Sequence, residues 1–157
     1  MTEGKRLSVE DRLDIQELFA KYAWALDTGD LEGYLACFTE DGYLVSVNGE
    51  KQRGREAIVK EITELWYGRG NAFKGRQHLV NHFLLTPEGE GVRARAFFFI
   101  PQFSVDYMTN ILFGIGTWDN FCVKQDGEWR FKAVKPVPWL SEQHVPWGGL
   151  PNPGDPA

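Results

Sequence analysis

Residues 8–29 read SVEDRLDIQELFAKYAWALDTG, and this stretch decides the fold. Ile15, Leu18, Phe19, Tyr22 and Leu26 recur at helical spacing, while Asp14, Glu17 and Lys21 face the other way. Ser8 followed by Asp11 resembles a capping box, in which the hydroxyl takes a backbone amide left without a partner in the first turn. Gly29 ends the segment as a left-handed cap. The spacing predicts a long one-sided helix with an apolar stripe to bury. Asp27 breaks the pattern. It stands in the last turn, where the helix macrodipole is negative and a carboxylate is disfavoured by up to about 1 kcal/mol. It also lies at the edge of the apolar stripe, next in projection to Ala23. Two readings fit: a functional carboxylate, because function is where local rules are broken, or a turn aspartate in Asp27-Thr28-Gly29-Asp30 bonding to nearby backbone.

Moving towards the C-terminus, Asp30 caps a second, short helix through Phe38, and Thr39-Glu40-Asp41-Gly42 is a turn. Tyr43 to Val47 is a strand and Asn48-Gly49 a hairpin turn, since both residues tolerate positive φ. A third helix follows Gly54, with Ala57, Ile58, Ile62, Leu65 and Trp66 as its stripe. The back half reads as strands over 77–86, 92–103, 111–124 and 129–137, separated by Pro/Gly-rich or Asp-Gly turns. Three helices, an inserted hairpin and a four-strand antiparallel meander make an α+β domain.

The 157 residues suit one domain with its own core. Hydrophobic residues at 43% and charged residues at 25% argue against a disordered or membrane-embedded chain. Aromatics reach 14%, enough to build a thick core, an aromatic-walled pocket or an apolar interface. The net charge of −5 and the diluted basic cluster Lys51-Gln52-Arg53-Gly54-Arg55 argue against nucleic acid as a partner. Cys37 and Cys122 read as two buried reduced thiols. The N-terminus lacks the apolar stretch of a signal peptide, and no run approaches the ~18 apolar residues of a membrane span. A soluble, cytoplasmic protein is expected, with no membrane partner. Six of the eight prolines lie at or after Pro136. This sets a domain over residues 1–138 against a Pro/Gly/Trp-rich tail over 139–157. Trp139, Leu140, Val145 and Trp147 suggest that the first half of the tail docks on something.

Arg93 and Arg95 alternate with Ala94 and Ala96, as on a sheet with one solvated face. Phe97-Phe98-Phe99-Ile100 and Ile111-Leu112-Phe113 are instead apolar on both faces. The expectation is a homo-oligomer, dimer or trimer, assembled through the outer sheet face. The alternative is that the tail covers this face.

The segments Tyr22-Ala23-Trp24-Ala25-Leu26-Asp27-Thr28-Gly29-Asp30, Phe38-Thr39-Glu40-Asp41-Gly42 and Gly54-Arg55-Glu56-Ala57-Ile58, followed by the meander, resemble the SnoaL-like branch of the nuclear-transport-factor-2-like (NTF2-like) superfamily. The resemblance covers about residues 8–138. It implies a cystatin-like α+β cone: a strongly curved antiparallel sheet wrapped around the long N-terminal helix, two further helices, and an internal apolar pocket. The superfamily holds enzymes, binding modules and accessory subunits, so the fold alone does not set the function. The resemblance extends to scytalone dehydratase, hexachlorocyclohexane dehydrochlorinase and bile-acid dehydratase. These eliminate water or hydrogen halide, with an aspartate near the end of the first helix and a histidine after the third. Asp27 and His78 match those positions, and Tyr22 matches a tyrosine of bile-acid dehydratase. The chain departs from these relatives in having Lys135 near an arginine of the dehydrochlorinase, and no aspartate near Pro101 or Gln102.

Taken with the resemblance, the residues imply a cofactor-independent lyase. A carboxylate bonded to one ring nitrogen of His78 would fix its tautomer and leave the other free to take a proton. No serine or cysteine stands in a nucleophile motif, so the chemistry is proton transfer. His78 and His82 lie ~13 Å apart if both are on a strand, which is too far for a shared metal without a bulge. No metal or cofactor is expected. The expected catalytic set is Asp27, His78 and Tyr22. The expected ligand-binding set is Trp24, Trp66, Phe98, Trp118, Asn120 and Lys135, with Tyr67 and Gln102 as further wall candidates. The ligand would be a small apolar or aromatic molecule. Two rival readings remain open: a non-catalytic small subunit resembling the β subunit of ring-hydroxylating dioxygenases, and a small-molecule binding module.

Overall fold

The computed structural model describes residues 6–146. Helix α1 (Val9–Thr28) begins where the sequence indicates, with Ser8 Oγ accepting the Asp11 N–H at 3.0 Å, and ends at Gly29 with φ 78°. Its stripe is buried: Ile15, Leu18, Phe19, Tyr22, Ala23, Ala25 and Leu26. Asp30 caps α2 (Leu31–Ala36) by accepting the Gly33 N–H at 2.9 Å. The chain then enters strand β1 (Phe38–Val45) directly. The turn expected at Thr39–Gly42 is instead a bulge within that strand. A Cβ on Gly42 would lie 2.9 Å from the Thr39 carbonyl and 3.0 Å from that of Phe131, so glycine lets the chain bend there without leaving the sheet. Strand β2 (Lys51–Arg53) returns across Asn48-Gly49, and α3 (Gly54–Leu65) buries Ile58 and Ile62. After 3-10 turns over Tyr67–Ala72 come the long strands β3 (Leu79–Glu88), β4 (Gly91–Ser104) and β5 (Thr109–Gln125), then β6 (Glu128–Val134) and β7 (Pro136–Pro138).

The sheet order is β2-β1-β6-β5-β4-β3, and β7 pairs with the middle of β5. Neighbours are antiparallel except β1 and β6, which run parallel. That pairing places the hairpin beside the last long strand and corrects the all-antiparallel expectation. Register shifts in the β3–β4, β4–β5 and β5–β6 ladders mark bulges, which bend a sheet. The bend lets one side chain of α1 touch three strands. The Phe19 ring meets Phe83 of β3, Trp118 of β5 and Phe131 of β6 at centroid distances of 5.2, 5.8 and 5.1 Å.

Strand β4 alternates as its sequence suggests. Ala94, Ala96, Phe98 and Ile100 point into the core, while Arg93, Arg95, Phe97 and Phe99 point out. Phe97, Phe99, Phe103, Ile111, Leu112 and Phe113 are all exposed on a single chain. The tail covers part of this face. The Trp139 N–H donates to the Ile115 carbonyl at 2.9 Å, and its ring meets Phe97 edge-on at 6.0 Å. Trp147 and the later prolines lie outside the described residues. Among the described residues no helix is long and apolar enough to cross a membrane.

Candidate active site

His78 immediately precedes β3 rather than lying within it, next to the Arg76–Gln102 bridge that continues the sheet. This position brings it to the C-terminal turn of α1. Asp27 uses both carboxylate oxygens on it. Oδ2 accepts the His78 backbone N–H and Oδ1 meets Nδ1, each at 2.6 Å. One contact fixes the chain and the other fixes the ring. Both side chains are largely withdrawn from solvent, His78 at 4% and Asp27 at 15% exposure. With Nδ1–H donating to the carboxylate, Nε2 carries the lone pair, and Nε2 has no protein partner among the described residues. The imidazole stacks parallel to Trp118 at 6.0 Å and meets Trp66 edge-on at 5.5 Å. These two indoles and the carboxylate allow the ring little freedom.

His78 stands on the wall of an interior cavity of about 350 Å³. Tyr22, Trp66, Phe98 and Trp118, all expected from the sequence, line it as well. Asp27 does not reach this wall and stands behind the imidazole. Tyr22 is buried and shares a 3.0 Å hydrogen bond with the hydroxyl of Tyr34, which also faces the cavity. Burial pushes both phenols well above their ordinary range, so they stay protonated at neutral pH. Two hydroxyls bonded to each other use one of their hydrogens in that bond, which leaves the second for a ligand. Trp139 and Leu140, from the start of the tail, close another side of the same chain's cavity. The indole Nε1 of Trp139 is buried and finds no acceptor among the described residues.

Three expected ligand contacts lie elsewhere. Trp24 is 76% exposed. Only two residues beyond Tyr22, it falls on the opposite side of the helix and lines an outer groove between α1 and β3, on the far side of Asp27, Arg76 and His78, which also border that groove. Lys135 lies exposed between β6 and β7. Asn120 points inward but belongs to the core, where its Oδ1 accepts the Lys135 N–H at 3.0 Å and its Nδ2 is unpartnered among the described residues. Gln102 is buried beside the cavity, holding Arg76 and the carbonyls of Ala72 and Lys74. Tyr67 packs on Phe73 and is not on the wall.

Tyr34 and Arg76 are among the wall residues that escaped the sequence reading. Tyr34 sits on a helix too short to show a stripe. Arg76 sits in a polar stretch that reads as loop, yet it is only 7% exposed. Its guanidinium lies over Phe113 at 3.4 Å, Trp66 at 4.8 Å and Phe73 at 5.2 Å. Burial, with a smaller contribution from Arg69, lowers its pKa to about 10, which still leaves it charged at neutral pH. His82 stands at the β3 bulge with φ 52°, exposed and bonded to Asn81 rather than turned towards His78. Among the described residues no three His, Cys, Asp or Glu side chains converge as a metal site requires.

A bent sheet around a long helix, with an aromatic cavity between them, defines the NTF2-like class of α+β cones. The SnoaL-like domain family matches residues 7–135, and the chain belongs to that family. Solved structures agree. A Mycobacterium tuberculosis protein of unknown function is 27% identical with a TM-score of 0.72, covering 88% of this chain and 83% of its own. An NTF2-like protein with a cystatin-like fold from Novosphingobium aromaticivorans is 25% identical with a TM-score of 0.73, covering 87% of both chains. A provisionally assigned scytalone dehydratase from the same organism, 20% identical with a TM-score of 0.71, covers 95% of this chain and 96% of its own and shares the fold. No curated protein sequence matches the chain at a significant level.

Proposed function

We propose that this protein is a cofactor-independent lyase of the dehydratase type, acting on a small, largely apolar aromatic or alicyclic molecule. The observation that carries the reading is the two-point grip of Asp27 on His78 at the wall of an aromatic cavity. In this reading Nε2 of His78 removes a proton from a carbon acid. Asp27 holds the tautomer and balances the imidazolium that forms, and the Tyr22–Tyr34 hydroxyl pair donates a hydrogen bond to the carbonyl or leaving oxygen. The proton then returns from His78 to the departing hydroxide, so water leaves and a double bond remains. Isomerisation would use the same base and differ only in where the proton returns.

The test is a panel of one- to three-ring β-hydroxy ketones, followed by the absorbance of the conjugated enone. Wild type is expected to turn over at least one of them and His78→Ala to do so on the order of 10²–10⁴-fold more slowly. Full turnover by His78→Ala would refute the assignment. A second reading has its own support. The exposed rings of Phe97 and Phe99 on the outer sheet face suit a subunit contact, with a second copy or with a larger catalytic chain. Purification from the native host distinguishes them: a homo-oligomer favours the enzyme, while a stoichiometric iron-containing partner favours an accessory subunit. A soluble location follows from the same reading, and fractionation tests it.

A further inference from the structure

The charged residues on the wall of the cavity are Arg69 and Arg76, and no aspartate or glutamate is among the described residues of that wall. This is unexpected in a chain whose net charge is −5. Neither arginine makes an ion pair with a carboxylate among the described residues. Arg69 is exposed and donates to the Glu64 carbonyl. Arg76 is buried, and a buried charge is costly unless paired. Its Nε donates to Gln102 Oε1 at 3.0 Å and its Nη2 to the Ala72 carbonyl at 2.8 Å, whereas Nη1 has no acceptor among the described residues. Both acceptors are neutral. Three aromatic faces stabilise the cation without neutralising it. Asp27 is close enough to be felt by Arg76, but both of its oxygens are committed to His78. Arg76 and His78 also pack on the same indole, that of Trp66.

We infer that the cavity selects an aromatic or alicyclic carboxylate, whose carboxylate is held by Arg76 while its ring lies among Trp66, Phe98 and Trp118. Gln102 and the Ala72 carbonyl hold the guanidinium in place and leave its Nη1 side for the ligand, and a planar fork suits a carboxylate. The inference rests on the cavity being the ligand site of the proposed lyase. It adds the substrate class: the molecule losing water carries an acid group beside the reacting carbon acid.

The test compares 2-naphthoate with its neutral isostere 2-naphthamide by calorimetry at neutral pH. Wild type is expected to bind the acid about tenfold more tightly or better. Arg76→Met keeps much of the side-chain volume and is expected to lose that preference while still binding the amide. Equal affinity of wild type for the two probes overturns the inference, as does a folded Arg76→Met that keeps the preference. Should Arg76→Met fail to fold, a structure of wild type with 2-naphthoate decides: carboxylate on Arg76 supports the inference, and carboxylate elsewhere overturns it. The measurement needs no turnover. A protein that prefers the acid through Arg76 yet dehydrates nothing would sink the lyase and leave the anchor standing, and active protein without the preference would do the reverse.

Discussion

Asp11 and Asp27 occupy the first and last turns of the same helix, in opposite electrostatic surroundings. Asp11 sits where the macrodipole is positive and favours a carboxylate. It accepts from Lys124 Nζ at 2.8 Å and Trp129 Nε1 at 2.9 Å, mainly the first of which draws its pKa down to about 2. Asp27 sits where the dipole opposes it, with no basic residue in its turn. Its compensation comes from the far side of the fold, as one backbone N–H and one imidazole of the segment before β3. A charge favoured by its own helix ties elements together. A charge kept against its helix by a distant partner is positioned for something else. The comparison predicts that the two ends of α1 separate activity from stability.

The largest expected effect lies at the partner of Asp27. If His78 is the base, His78→Ala should lower turnover by on the order of 10²–10⁴-fold, with a melting curve that remains cooperative. Asp27→Asn comes next. The carboxamide oxygen can still accept the His78 N–H, so the segment stays docked, but the charge that balances an imidazolium is gone. Turnover should fall on the order of 10²-fold, with little change in apparent substrate affinity. An Asp27→Asn protein with wild-type kcat would make Asp27 as structural as Asp11 and end the contrast. Asp27→Ala also strands a buried N–H, and urea melts should show a loss of about 1–3 kcal/mol.

Tyr22→Phe should act more weakly than either. Removing one hydroxyl of the pair frees the Tyr34 hydrogen that had been shared or leaves it unaltered, so a donor remains near the cavity. We expect a loss of about tenfold or less in kcat for Tyr22→Phe or Tyr34→Phe singly, and a larger, non-additive loss for the double variant. Additive effects in the three kinetic measurements would show that the two phenols act separately.

Asp27 was legible because it broke a one-residue rule: a carboxylate in the last turn at the edge of an apolar stripe. The stripe itself was legible because helical period and burial coincide from Ile15 to Leu26. Trp24 could have been excluded by the same periodicity, which puts it across the helix from Tyr22. The strand residues were harder. Alternation along β5 places Asn120 inward, but not how far from the cavity it lies, and one residue beyond the end of β6 leaves Lys135 exposed. Arg76 was beyond reach. Its burial is completed by Phe113 of β5, far along the chain from Trp66 and Phe73, which meets them only once the sheet has bent. The parallel β1–β6 pair was hidden for the same reason, since a pairing across most of the chain leaves no local trace.

The smallest effect belongs to the other end of the helix. Asp11→Asn removes the charge that Lys124 and Trp129 hold, so α1 should be less firmly tied to the β5–β6 turn. The folded pKa of Asp11, about 2, lies below its ordinary 3.8. Its contribution is therefore fully present above the unfolded value and is lost as pH falls from about 4 through about 2. The Lys124 side of the network is partly exposed and screened by water, so we expect a cost of about 1 kcal/mol at neutral pH, read as a shift in the urea midpoint at constant slope. Wild type and variant should converge in stability near pH 2 and show equal turnover at neutral pH, because Asp11 touches no residue of the cavity wall. A turnover deficit in Asp11→Asn as large as that of Asp27→Asn would mean that the helix acts as one unit, and that the division between its tied end and its working end does not exist.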